Sequence, residues 1–183
     1  MRVPRIFSKR IADDPVQTLY SAIVCQARQP AFYSVCGVAD TPDGRFDLIA
    51  LHAALILRRL RMEGEAARPL AQALFDHMFA DMDENLREMG VGDLGVGKRV
   101  KAMARAFYGR LAAYDAAITA SDRARAAEAL RRNLYRKNTP SPDQVESMAD
   151  YLFAEAARLD TLAFDRMRVG IVAFGPPPQP GSG

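Results

Sequence analysis

The stretch from Phe46 to Met62 most constrains the fold, because its apolar side chains fit a helix but cover two of its faces. Projected at about 100° per residue, the two faces collect different side chains. One face holds Phe46, Ile49, Ala53, Ile56, Leu57 and Leu60, and the other holds Leu48, Leu51, Leu55 and Met62. A helix that is apolar on both sides must be covered on both sides. We therefore expect a central helix that begins at Pro42 or Phe46 and around which other helices pack.

The other segments show helical spacing of apolar residues and recognisable helix starts. Asp14-Pro15 predicts one start, and Ser141-Pro142-Asp143-Gln144 predicts a capping box. Asp93, Asp122 and Asp160 are further candidate caps, and Gly90 is a candidate helix end. The predicted helices cover about 14–28, 42–62, 67–89, 96–119, 122–135, 142–159 and 160–168, with a short helix or turn near 30–36. The sequence therefore predicts an all-α protein, a single compact domain of about seven helices with a central buried helix.

The limits of this domain follow from composition at the two ends of the 183-residue chain. We expect residues 13–174 to form the helical domain and the Pro/Gly-rich residues 175–183 to be a disordered tail. Residues 1–12 form a flexible basic arm. Its candidate membrane-contact residues are Arg2, Arg5, Phe7, Lys9 and Arg10, although an ordinary flexible terminus is the favoured explanation. The arm lacks the apolar core of a secretory signal, and no apolar run reaches the length of a membrane span.

Little in the sequence points to catalysis or to a cofactor. His52 lies between the two apolar faces of the central helix, which predicts a hydrogen-bonded core histidine. His77 and Asp81 have the i, i+4 spacing of two metal ligands, but the further ligands of a dinuclear helical site are absent. Cys25 and Cys36 lack redox or metal spacing and are expected to be free thiols. We therefore predict no catalytic residue, metal, cofactor or small-molecule substrate.

Charge is segregated along the chain around a glycine-rich turn. Residues 63–92 contain seven acidic residues and two arginines, whereas residues 93–137 contain eleven basic and four acidic residues. This asymmetry suggests charged partners or a membrane surface. Two solvated faces that complement each other within the fold would explain it as well.

The resemblance to a known family rests on two long strings, FYSVCGVADTPDGRFDLIALHAALILRRL and LFDHMFADMDENLREMGVGDLGVGKRVKAMARAFYGRLAAYDAA. They resemble the ubiquinol–cytochrome c chaperone family, the cytochrome bc1 assembly factors of mitochondria and their alphaproteobacterial relatives. The resemblance covers roughly residues 15–160. It implies an assembly chaperone that binds newly made cytochrome b and promotes biogenesis of the bc1 complex (complex III), and it does not imply an enzyme.

The same resemblance implies partners and a location. The mitochondrial members act with a small partner protein and with the ribosome. A short N-terminus leads us to expect a bacterial protein that is cytoplasmic and peripheral at the inner membrane, or a matrix protein if the source is eukaryotic. The client, cytochrome b, would need an apolar groove rimmed by charges, and we expect the helices predicted at 67–89 and 96–119 to form it. The candidate partner-binding residues are His77, Asp81, Glu84, Glu88, Gly92, Asp93, Leu94, Lys98, Lys101 and Arg105.

Two alternatives remain open from the residues alone. The basic half, residues 98–137, could bind the ribosome or a nucleic acid, although no helix-turn-helix signature or aromatic stacking platform accompanies it. An all-α enzyme is the other alternative, but two histidines and two scattered cysteines leave little chemistry to assign.

Overall fold

The structure is a computed structural model that describes residues 14–88, 90 and 92–179. These residues form eight α-helices and one 3-10 turn, and none of them lies in a strand. The helices are α1 (Pro15–Ala27), α2 (Ala31–Ser34), α3 (Pro42–Arg61), α4 (Arg68–Glu88), α5 (Asp93–Thr119), α6 (Arg123–Asn133), α7 (Pro142–Asp160) and α8 (Phe164–Arg168), with the 3-10 turn at Gly64–Ala66. The predicted all-α fold is confirmed. No described helix combines the length and the apolar character needed to cross a bilayer.

Helix α3 is the centre of the bundle, as its two apolar faces predicted. It packs against α1, α4, α5 and α7. Both faces are buried: Ile56 and Leu60 on one and Leu48 and Leu51 on the other have no exposed surface. Met62 is the exception, because it lies just beyond the last residue of the helix and is 60% exposed. The two-sided apolar pattern therefore ends with Leu60.

Several predicted helix starts and ends are confirmed by hydrogen bonds. The carboxylate of Asp14 accepts a hydrogen bond from the backbone N–H of Val16 at 3.0 Å. The carboxylate of Asp122 accepts one from the backbone N–H of Arg125 at 2.9 Å. Ser141 and Gln144 form the reciprocal capping box. Gly90 has a φ of +80°, the left-handed conformation that commonly follows a helix.

Two predicted caps are wrong. Asp160 does not begin the last helix, because α7 continues through this residue and α8 starts only at Phe164. The Asp160 carboxylate instead accepts a hydrogen bond from Arg58 on α3 at 2.6 Å, so a tertiary ion pair takes the group that we assigned to a local cap. Asp93 is the first residue of α5 rather than its cap, and Gly92 occupies the capping position. Helix α5 thus begins three residues before the predicted Val96.

His52 is a hydrogen-bonded core histidine, as predicted. Its ring is fully buried, with Nδ1 2.8 Å from the carbonyl oxygen of Leu48 and Nε2 2.8 Å from the hydroxyl of Tyr151. The Leu48 carbonyl can only accept, so Nδ1 carries the proton and Nε2 accepts from Tyr151. Phe174, from the segment after α8, packs edge-on against the same ring. Both nitrogens of this buried imidazole are therefore satisfied.

The segment after α8 lies against the bundle without regular secondary structure. Gly175, where we expected the disordered tail to begin, is buried, and its N–H donates to Glu155 at 2.9 Å. Its carbonyl accepts from Gln26 on α1 at 2.9 Å. Residues 1–13 and 180–183 lie outside the described residues, so the basic arm and the end of the tail stay predictions.

The buried histidine should make the stability of the protein depend on pH. Burial lowers the pKa of His52 to about 4, whereas an unfolded histidine titrates near about 6.5. Between these values the unfolded chain binds more protons than the folded chain, so stability is present above the unfolded pKa and is lost as the pH falls. We expect the free energy of unfolding to decrease by about 2.5 kcal/mol from this group between pH 7 and pH 4.5.

Urea unfolding of the wild-type protein and of His52→Gln at the two pH values measures this contribution. The substituted protein should be less stable at pH 7 but should lose less stability on acidification. An equal loss in both proteins would contradict the assignment of the pH dependence to His52.

Candidate partner-binding cleft

A cleft of about 820 Å3 lies between α1, α3, α4 and α5. Each of the four helices contributes one side. This volume lies at the upper end of the range of ligand sites in proteins, which is about 300–1,000 Å3. The cleft is therefore the first candidate for a functional site, and we call it the four-helix cleft.

The lining of the four-helix cleft is mostly apolar. Its apolar side chains are Val24 from α1, Pro42, Phe46 and Ile49 from α3, Met82 and Leu86 from α4, and Ala102 and Met103 from α5. The two methionines have flexible, unbranched side chains that adapt to irregular surfaces, a property of sites that accept varied apolar segments. The cleft can therefore hold apolar side chains of a partner without requiring one fixed shape.

One polar cluster joins α1 to α4 at the cleft wall. The hydroxyl of Tyr20 donates to the carboxylate of Asp81 at 2.7 Å, and Asn85 donates to the same carboxylate at 3.1 Å. Burial, with the adjacent carboxylate, raises the pKa of Tyr20 and keeps its hydroxyl protonated as a donor. The ring of His77 stands edge-on to Tyr20, with 5.1 Å between centroids. The two polar residues that we predicted at i, i+4 are thus brought together, with Asp81 tied to α1.

Three arginines lie at the cleft on three different helices or helix ends: Arg28 after α1, Arg45 on α3 and Arg99 on α5. Arg45 forms an exposed ion pair with Asp40 at 2.7 Å. Arg28 and Arg99 form no ion pair with any residue that the structure describes. Their charges remain available to a partner.

The remaining acidic residue of the cleft, Asp43, is already paired. Lys137 contacts its carboxylate closely, and Arg136 lies 3.8 Å from it. The hydrogen bond from Lys137 lowers the pKa of Asp43. The carboxylates lining the cleft are therefore both engaged within the protein.

A buried ion cluster lies next to the floor of the cleft, and the sequence analysis did not predict it. Asp47, on α3, is 3% exposed and lies 2.8 Å from Arg110 Nη2 and 2.8 Å from Arg136 Nε. Burial raises the pKa of Asp47, while the hydrogen bond from Arg136 and the charge of Arg110 oppose this rise. The guanidinium of Arg110 also lies over the ring of Phe46, 5.4 Å from its centroid. The cluster fixes Phe46, and hence the floor of the cleft, against α5.

A sequence signal for this cluster existed. Asp47 interrupts an otherwise apolar helix, and Arg110 falls on the core side of α5 between Phe107 and Tyr114. A carboxylate and a guanidinium that both face a core are expected to pair. The sequence did not show which arginine pairs with Asp47, because the partners are far apart in the chain.

The other predicted site residues do not line the cleft or lie outside the described part of the chain. Glu84, Glu88, Gly92, Lys98, Lys101 and Arg105 are exposed and do not line the four-helix cleft. The side chains of Asp93 and Leu94 lie outside the described part of the chain, as do all five candidate membrane-contact residues. The apolar surface is thus not a groove between α4 and α5 alone, as we expected, because α1 and α3 form its other walls.

The basic half of the chain is partly neutralised inside the protein. Arg110, Arg136, Lys137 and Arg123 pair with Asp47, Asp43 and Asp150. These acidic partners lie on α3 and α7, outside the acidic stretch of residues 63–92. Four of the eleven basic residues of this half therefore serve the fold.

The two cysteines are free thiols, as predicted, and only one lies at the cleft. Cys25 is exposed and lines the four-helix cleft. Cys36 is buried, and burial raises the pKa of its thiol to about 11. Thiol reagents should therefore modify Cys25 selectively.

The chain is similar to known proteins over most of its length. A family model described as ubiquinol-cytochrome C chaperone matches residues 34–174. Similar proteins named ubiquinol-cytochrome c reductase complex assembly factor 1 come from Xenopus laevis, Mus musculus and Homo sapiens. Their sequence identities to this chain are 28%, 26% and 26%, in each case over an alignment that covers 86% of the chain. The aligned region spans 79% of the frog protein but only 54% and 53% of the mouse and human proteins.

A solved structure is also similar. The crystal structure of the Cbp3 homolog from Brucella abortus superimposes with a TM-score of 0.80 at 38% sequence identity. The match covers 88% of this chain and 89% of that chain.

The ion cluster behind the cleft yields a stability prediction. Asp47→Ala would leave Arg110, which is 6% exposed, buried without its counter-charge, so we expect a loss of about 3–5 kcal/mol. Asp40→Ala removes the exposed pair with Arg45 and should cost less than about 1 kcal/mol. Urea unfolding at pH 7 measures both, and equal losses would show that the Asp47 cluster is not a buried support.

Proposed function

The chain belongs to the ubiquinol-cytochrome c chaperone family, and we propose that it holds newly made cytochrome b in the four-helix cleft during assembly of the bc1 complex. Its family is one of assembly factors, which confirms the interpretation of the chain as a chaperone rather than an enzyme. The client, the contact with the membrane and the residues that bind are our proposals.

The observation that carries this proposal is the four-helix cleft itself. It is an apolar depression of about 820 Å3 on a helical domain, lined by flexible methionines. Cytochrome b is a helical membrane protein, so its apolar segments need cover from water before they insert. An amphipathic or apolar helix laid into an apolar groove is a common mode of peptide recognition. The cleft therefore supplies what a holding chaperone needs, which is reversible burial of an apolar surface.

The mechanism that follows is binding without covalent chemistry. Side chains of the client replace water on the floor formed by Phe46, Ile49 and Met82. Each square ångström of apolar surface that leaves water contributes roughly 25 cal/mol. The Asp47 cluster keeps α3 and α5 in place behind the floor, so the protein is preorganised for the client. Release then requires only that the client find a better apolar environment in the bilayer or in the assembling complex.

The charged residues outside the cleft extend the proposed contact. Glu84 and Glu88 on α4 and Lys98, Lys101 and Arg105 on α5 are exposed. We propose that these residues contact the charged connecting loops of the client. Peripheral contact with the inner membrane through residues 1–12, and contacts with a ribosome or a small partner protein, belong to the same proposal.

Photo-crosslinking from the native Cys25 tests where the client binds. A benzophenone maleimide attached to Cys25 would lie in the cleft, while the buried Cys36 stays unmodified. During cell-free synthesis of cytochrome b, illumination should crosslink the nascent or newly completed protein. The matched control carries Cys25→Ser with Arg125→Cys, which moves the probe to an exposed site on α6. Crosslinks of equal yield from both positions, or from neither, would reject the cleft as the binding site.

Charge reversal on the outer surface tests the assigned loop contacts. Glu84→Lys with Glu88→Lys should reduce capture of cytochrome b severalfold, because like charges then face each other at the rim. The melting temperature should hardly change, since both residues are exposed. Asp81 is left in place because it is bonded to Tyr20, and its loss would disturb the fold. Unchanged capture would confine the client to the cleft.

A further inference from the structure

We propose that the client segment accepted by the four-helix cleft is an apolar helix flanked by carboxylates, and that Arg28 and Arg99 bind these carboxylates. This inference rests on the proposed function of the same cleft and specifies the chemistry of its partner. It reverses the charge preference that an acidic edge on α4 would suggest.

The two arginines stand at the same cleft on different helices. Arg28 follows α1, where the negative end of the helix dipole already favours a cation, and Arg99 lies in the second turn of α5. Both side chains are exposed, and neither has an ion pair among the described residues. Many of the other arginines of this chain are paired: Arg45, Arg58, Arg59, Arg61, Arg68, Arg110, Arg123, Arg136, Arg158 and Arg168 each contact a carboxylate. Two cleft arginines are left for a partner.

The carboxylates of the cleft offset these charges only in part, because Asp43 is paired with other cations and Asp81 contributes a single negative charge against the two arginines. Asp81 accepts hydrogen bonds from Tyr20 and Asn85, and Asp43 is held by Lys137 and Arg136. A client with basic flanks would meet the positive charges of Arg28 and Arg99, which outnumber the one cleft carboxylate without a cationic partner among the described residues, Asp81. A client with acidic flanks would meet two free guanidinium groups instead.

The apolar floor decides which kind of anionic partner fits. Val24 lies one turn before Arg28 on α1, and Met103 lies one turn after Arg99 on α5. Each free cation therefore has an apolar neighbour inside the cleft. An RNA strand would satisfy the arginines but leave the apolar floor uncovered. An apolar helix with Asp or Glu beyond its ends satisfies both.

Arginine suits this role physically. Its planar guanidinium donates two parallel hydrogen bonds to one carboxylate and is more weakly hydrated than a lysine ammonium. When a client covers the floor, water is excluded near the pair and the attraction strengthens. The ion pairs then orient the client, while its apolar side chains supply most of the affinity.

Binding of two designed peptides to the labelled protein tests the inference. An environment-sensitive fluorophore on Cys25 would report occupation of the cleft. The peptides share one apolar helical core and differ only in flanks of two Glu or two Lys residues at each end. We expect the Glu-flanked peptide to bind about tenfold more tightly at low salt, a preference that salt should weaken. A single-stranded RNA oligonucleotide serves as the third ligand and should not compete with the Glu-flanked peptide.

Charge-reversed proteins identify the residues responsible. Arg28→Glu with Arg99→Glu should invert the preference in favour of the Lys-flanked peptide. The matched control, Arg125→Glu with Arg131→Glu, makes the same change in net charge at exposed positions of α6 and should keep the wild-type preference. If the reversed protein does not fold, Arg28→Gln with Arg99→Gln should abolish the preference without inverting it.

The outcomes separate this inference from the proposed function. Equal binding of the two peptides, tighter binding of the Lys-flanked peptide, displacement by RNA, or the same preference in the arginine variants would each overturn it. Failure of Cys25 to crosslink cytochrome b would instead reject the proposed client. A Glu-flanked preference that depends on Arg28 and Arg99 would still hold in that case.

Discussion

The burial of α3 on both faces is the constraint on which the rest of the structure depends. A helix with Leu48 and Leu51 on one side and Ile56 and Leu60 on the other cannot lie at a surface without exposing one of these rows. Four helices, α1, α4, α5 and α7, therefore surround it. The same helix provides Phe46 and Ile49 to the four-helix cleft, so the element that organises the core also forms one wall of the proposed binding surface.

Polar groups buried along α3 define how its neighbours dock. His52 binds Tyr151 of α7, and Asp47 binds Arg110 of α5 together with Arg136. Removing either set of partners would leave a buried polar or charged group without compensation, which is costly in a low-dielectric interior. Apolar contacts alone tolerate sliding between helices, whereas these buried pairs require particular side chains to lie opposite one another. They therefore fix α5 and α7 against α3, and so define how two of the four cleft helices, α3 and α5, lie against each other.

The charge available at the cleft differs from the net charge of the chain segments that form it. The stretch from 63 to 92 is acidic, yet Asp81, its one carboxylate at the cleft, is bound to Tyr20. The stretch from 93 to 137 is basic, yet four of its cations serve internal ion pairs. The cleft therefore presents an apolar floor with Arg28 at the end of α1 and Arg99 on α5, both without an ion pair among the described residues. This combination suits the function that we propose, in which the protein holds an apolar segment in one orientation and then releases it.

The sequence by itself determined the helices, the central position of α3, the capping box at Ser141, the core role of His52 and, through two long strings, the family. These features depend on residues close together in the chain, where periodicity and capping chemistry act. Only the tertiary structure decided which charges are satisfied, because Tyr20 meets Asp81, Asp47 meets Arg110 and Asp160 meets Arg58 across long stretches of sequence. Helical periodicity tells which face of a helix is buried, but not which side chain of another helix lies opposite. The cleft is made from four such faces, so its walls and its charge could be established only by their packing.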